Sequence, residues 1–225
     1  MVEHEHGRRM GRPPLDEVRE GERRIQILTV AGRHFQQRGF AAVSLGDIAA
    51  EVGVTKAALY HHFQSKDELY TEVLCGTLMR IAAAIGRVTE QSVSTREKLV
   101  QLVRIAVFDV PKDADMDSMM RDVAEHLTTE QRERVLRAHR GLEDAYARLM
   151  ASGIARRELR PFEPRLLAHA FHHLLAAFTG RVGAVTGYQG KLETVETVVE
   201  LFLHGAGEHG ERGKPAPSPA ASQVC

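Results

Sequence analysis

The residues best suited to chemistry lie between Ser44 and Lys66. Lys56, Ala57, Tyr60 and His61 fall on one outward face if residues 56–63 are helical. A cation, a small side chain, a phenol and an imidazole at that spacing suit close approach to a DNA groove. Alanine admits the backbone or meets a thymine methyl, while lysine and tyrosine reach phosphates or base edges. Ser44, Thr55 and Lys66 stand at helix starts, where free amides and the dipole favour phosphate. A Tyr-His-His-Phe run is, on spacing alone, as compatible with packing as with recognition. His62, beside Phe63, reads as packing or capping, and His61 as the better phosphate ligand.

Those positions require three elements. A first helix from about Asp16 or Glu22 to Gln37 carries Ile25, Leu28, Ala31 and Phe35 on one stripe and stops at Gly39. Ser44 caps Leu45 to Val52, Gly53 ends that helix, and Thr55 caps Lys56 to Phe63. Two helices this short are unstable alone, so they must pack on the first. A short helix, a glycine turn and a second short helix form the helix-turn-helix pattern, whose second helix fits a major groove. Ser65 and Glu68 read as a capping box opening a longer helix, and Thr128 with Gln131 as another. Further helices are predicted over 66–88, 95–109, 116–127, 129–152, 163–186 and 190–207. No strand alternation or internal repeat is present, so the fold class is all-α.

Composition sets outer bounds. The chain has 225 residues, with 30 Lys plus Arg against 30 Asp plus Glu, and a net charge of zero. Any affinity for nucleic acid must therefore be local. Residues 8–63 hold nine basic against six acidic side chains, a modest excess. Arg8, Arg9 and Arg12 sit among Gly11, Pro13 and Pro14 as a basic arm suited to a minor groove, or as plain solvated chain. Two distant cysteines, Cys75 and Cys225, exclude a disulfide scaffold. The first residues lack the apolar stretch of a signal peptide, and the charge-free run 166–180 is too short to span a bilayer. A cytoplasmic protein without a membrane partner is expected.

At this point the chain resembles the N-terminal domain of the TetR family of transcriptional regulators. The residues that carry the likeness are Ile27-Leu28, Ala31, Phe35, Gly39-Phe40, Ser44-Leu45, Ile48-Ala49, Gly53-Val54-Thr55-Lys56, Leu59-Tyr60, His62-Phe63, Ser65-Lys66 and Glu68-Leu69. They lie in residues 22–82, about a quarter of the chain, and the run from Gly53 to Leu69 is the most specific. Gly32 and Gly46 depart from the expected helix formers. The resemblance implies an all-α homodimer in which a small molecule releases a repressor from palindromic double-stranded DNA. The expected organisation is an arm over 1–20, a DNA-binding domain over 21–66 with its motif at 44–63, an effector and dimerisation domain over 67–210, and a tail over 211–225. Pairing is expected through helices 163–186 and 190–207. The alternative is a helical small-molecule sensor without operator binding.

The C-terminal part offers candidate effector contacts. Leu102, Phe108, Met120, Val123 and Tyr146 supply an apolar lining, and His126, His169 and His173 supply polar groups, a set suited to a mostly hydrophobic molecule. They also read as closed core. His169, His172 and His173 lack a nearby carboxylate or thiolate to complete a zinc set, and no metal or cofactor is expected. Asp113, Asp115 and Asp117 begin a calcium-loop pattern, but Ser118 and Ala124 stand where glycine and glutamate belong. No nucleophile elbow, phosphate loop or dinucleotide fingerprint appears, so no enzyme is predicted.

Overall fold

The computed structural model describes residues 15–109, 116–188 and 190–206. Among them run α1 (Leu15–Ala42), α2 (Leu45–Val52), α3 (Lys56–His62), α4 (Lys66–Thr89), α5 (Thr95–Asp109), α6 (Met116–His126), α7 (Thr129–Ala155), α8 (Pro164–Ala176), α9 (Gly180–Thr186) and α10 (Leu192–Ala206). No β-sheet forms among them, and the fold is all-α. The basic arm with Arg12, the tail 211–225, Asp113 and Asp115 lie outside the described residues.

Local chemistry fixes the first three helices. Gly39 interrupts α1 with φ 73° and ψ 168°, a conformation that suits glycine, so the predicted stop is a real break inside a longer helical run. Ser44 Oγ accepts the Asp47 amide at 3.2 Å and Thr55 Oγ1 the Ala58 amide at 3.1 Å. Between those caps Gly53 takes the left-handed conformation that ends α2. Ile27, Ala31 and Phe35 of α1 join Ile48, Leu59 and Phe63 in the buried core.

α4 forms the spine, packed by α1 on one side and by α7 and α5 further along. Tyr70 stands edge-on to Phe35 at 4.8 Å and lies 5.0 Å from Phe40. The hydrophobic core runs unbroken from Ile27 to Phe202, so the expected boundary at 66/67 falls in the middle of continuous packing. By length and composition α4 is apolar enough to cross a membrane, although it is not free of charge. Here Leu69, Tyr70, Val73, Leu74, Leu78, Ile85 and Val88 are instead buried against protein.

Three expectations change. The helix expected over 163–186 is two helices, because Thr179 is extended (φ −124°, ψ 171°) and Gly180 restarts the chain at φ 57°. The box at Ser65 is half-formed: Ser65 Oγ accepts the Glu68 amide at 3.1 Å, but the Glu68 carboxylate takes Arg134 of α7 at 2.8 and 3.0 Å. The box at Thr128 is complete. The apolar side chains of the two helices expected to pair are mostly this chain's own core, since Leu167, Phe171, Val195, Val198 and Phe202 are buried within it. Leu166, Val182, Val185, Leu192 and Leu201 of the same region are exposed instead.

Candidate nucleic-acid interface

α3 is held by two anchors. Leu59 and Phe63 are fully buried, and the Val54 amide, donating to Ala49 O at 2.9 Å, fixes the turn from α2. With those side chains inward, Lys56, Ala57, Tyr60 and His61 are all exposed on one side. Tyr60 keeps 46% of its surface free, a large exposure for a phenol, and its ring centroid lies 6.0 Å from Lys56 Nζ.

Ion pairs fix α2 against α1. Glu51 accepts from buried His34 at 2.6 Å and from Arg33 at 2.8 Å, and Arg38 reaches Asp47 at 3.4 Å. The His34 hydrogen bond, helped by Arg33, holds the Glu51 carboxyl below the usual carboxylate range. Arg24 of α1 pairs with Glu72 of α4 and covers the Phe63 ring at 5.0 Å. These contacts hold α2 against α1 and cover Phe63 at the end of α3, and they leave the outer face of α3 exposed.

Of the predicted contacts, Lys66 is drawn into the fold. Arg12 lies outside the described residues. Lys66 is half-buried, its ammonium donating to Ala41 O at 3.3 Å and lying 4.3 Å over the Phe40 ring, so it is already engaged within the fold. Burial pushes its pKa below the usual lysine value. Ser44 and Thr55 spend their side-chain oxygens as caps, though both remain exposed. Arg19 and Arg23, not singled out in the sequence, line an open surface depression of about 350 Å³ with Glu20, Ala58, His61 and His62. Only the crossing of α1 over α3 brings them there, so spacing held no signal for them.

The predicted effector residues divide. Leu102, Val123 and Tyr146 are buried and Met120 is half-buried, whereas Phe108, His126, His169 and His173 are exposed. His126 stacks on Phe40 at 4.8 Å, which places it against the first domain rather than in a lining. Tyr146 and His169 do meet, in a cavity of about 230 Å³ between α7 and α8 with Glu143, Arg165, Ala168 and His172. His172 stacks on Tyr146 at 5.4 Å. Burial, with His173 and His139 adding to it, lowers its pKa to about 4, and burial raises the Tyr146 phenol to about 12.

A three-helix head, with the last helix presenting a basic and aromatic face, has the arrangement of a helix-turn-helix module. Residues 27–73 match the family model described as bacterial regulatory proteins, tetR family. This N-terminal part of the chain is thus similar to the TetR family over those residues. The chain is 28% identical over 121 residues to the transcriptional repressor KstR2 of Rhodococcus jostii, a match covering 53% of this chain and 59% of that protein. It is 36% identical over 102 residues to the transcriptional activator FasR of Mycolicibacterium smegmatis, covering 45% of this chain and 44% of that one. The matched stretch thus spans less than two thirds of either relative. The reduced form of Escherichia coli NemR has the same fold, with a TM-score of 0.67 at 17% identity over 82% of this chain and 97% of that one. These curated relatives are named as regulators of transcription, not as enzymes.

Proposed function

We propose that this chain is a ligand-responsive transcriptional regulator that binds a palindromic operator as a homodimer. The observation that carries the reading is the face of α3, where Lys56, Ala57, Tyr60 and His61 stand exposed on a helix pinned by Leu59 and Phe63. An α-helix presented this way fits the major groove, and two copies would read half-sites about 34–36 Å apart or a multiple of it. The exposed Leu166, Val182, Val185, Leu192 and Leu201 of α8–α10 support pairing through that end.

The effector is read as a small, mostly hydrophobic molecule. Buried Tyr146 supplies an apolar wall at the cavity between α7 and α8, and Glu143, Arg165 and His169 would orient a polar end. Its effect would travel from α7 to α4, which packs against it, and from Tyr70 of α4 to α6. Asp122 Oδ2 of that helix accepts the Phe40 amide at 3.1 Å and the Tyr70 hydroxyl at 3.4 Å, tying the end of α1 to α4 and α6 together. An effector that favours another α6 position lowers operator affinity, and by linkage the operator lowers effector affinity by the same factor.

We assign the chain as a repressor, with KstR2 as the supporting relative and FasR as the contrary one. A gel-shift titration with the chain's own upstream DNA, wild type against Tyr60→Ala, tests the reading. Specific retention by wild type and its loss in a folded variant is expected. A reporter on the same DNA that falls when the chain is added distinguishes repression from activation.

A further inference from the structure

We propose that Glu20, His61 and His62 form a site for a divalent transition-metal ion of the Zn²⁺ class, bridging α1 to the end of α3. The three residues come from two helices, and their ligand atoms lie within 4.8 Å of one another. It is the one such triple of histidine, cysteine and carboxylate donors found among the described residues. The donors need not be pulled from other work. No hydrogen bond or ion pair to another described residue engages the Glu20 carboxylate or either imidazole, whose neighbours are ring contacts at 5.8 Å (His61 to His62) and 6.4 Å (His62 to Phe63).

The chemistry suits such an ion. Two imidazoles and one carboxylate leave a fourth position open to water, as in three-ligand zinc sites. Bonds of about 2.0–2.1 Å in tetrahedral geometry put donors about 3.4 Å apart. From within 4.8 Å, the exposed Glu20 and His61 reach that spacing by side-chain rotation alone. The ion and its water would sit in an open surface depression of about 350 Å³. Arg19 and Arg23 line the same depression; their charges limit the affinity and favour an anionic fourth ligand such as hydroxide.

The consequence rests on the reading of α3 as the DNA-facing helix. A bound ion takes His61 from that face and fills the space that Arg19 and Arg23 would offer a phosphate. Metal and operator therefore exclude each other, and each weakens the other by one common factor.

Equilibrium dialysis of the full chain against Zn²⁺ tests the site without DNA. The comparison is wild type, Glu20→Gln, His62→Gln and the double variant His169→Gln/His173→Gln, each checked by circular dichroism for an unchanged helix signal. One ion per wild-type chain should be lost or weakened at least tenfold in Glu20→Gln and in His62→Gln, as the loss of a direct ligand costs no less than that of an outer-shell partner. The double variant should keep it. Equal binding in all four proteins, or loss only in the double variant, overturns the site. In a gel shift with upstream DNA, Zn²⁺ should weaken retention by wild type and not by His62→Gln. If no DNA is retained with or without Zn²⁺, the operator reading falls while the dialysis still decides the metal site.

Discussion

Acid should destabilise this fold through His172 in a way one substitution can isolate. The imidazole lies against Tyr146, with ring centroids 5.4 Å apart and planes at 25°, and is largely removed from water. Its pKa falls from the ordinary 6.5 to about 4, mainly by burial, with His173, His139 and His169 adding repulsion and Glu143 opposing. Between those values the unfolded chain binds the proton and the folded one does not, so stability rises with pH across that window and is lost as pH falls through it. At pH 5 the unfolded imidazole is almost fully charged and the folded one about a tenth charged, which removes about 2 kcal/mol relative to pH 7. His172→Phe keeps a ring on Tyr146 and cannot titrate. Urea denaturation of both proteins at pH 5, 6 and 7 should therefore show the variant losing about 2 kcal/mol less over that range. Parallel decline of the two stabilities would refute the reasoning, because carboxylates alone would then carry the acid response.

Other substitutions probe the packing and the interface. An added Cβ at Gly153 would sit 2.8 Å from Thr95 Oγ1 and 2.9 Å from Leu159 Cδ1, so Gly153→Ala should cost about 1–3 kcal/mol in denaturant unfolding. Gly53→Ala places a side chain at φ 76° and should cost about 1–2 kcal/mol by the same measurement, with nothing near enough to clash. Lys66→Ala should lower stability by about 0.5–1.5 kcal/mol by removing the bond to Ala41 O, and leave the salt slope of DNA binding unchanged. A slope lower by about one unit would instead make Lys66 a phosphate contact. Asp122→Ala should leave the effector bound while reducing its effect on operator retention, read by titrating the effector with and without DNA.

The first three helices were legible because their signals are local. Ser44, Gly53 and Thr55 are caps and a turn whose meaning needs only the next three or four residues, and the structure starts and ends α2 at the expected positions. Glu68 shows the limit. Its place after Ser65 reads as a capping box, but Arg134, 66 residues on, offers a charged partner that no local pattern reveals. The break at Thr179 was hidden for a related reason, since only the backbone distinguishes a helix start at Gly180 from a helix interior. The apolar stripes of α8 and α10 were visible, but not whether they face this chain or another. Phe171 stands edge-on to Phe202 at 5.0 Å within the chain, which settles that stripe as core. The meeting of Glu20 with His61 and His62 was illegible for the plainest reason, that it depends on how two helices cross.

The unbroken core from Ile27 to Phe202 bears on how the molecule comes apart. Leu69, Tyr70 and Val73 of α4 wall the space behind α1, so the three-helix head has no complete interior of its own. Head and body should melt together in a single calorimetric transition, and a fragment ending at Ser65 should not fold. A loss of DNA binding caused by a change deep in α7 would then report a smaller population of folded protein and no transmitted signal. Genetic screens for non-binders would recover Leu142 or Leu149 as readily as Tyr60, and only the amount of folded chain in the cell would tell the two classes apart.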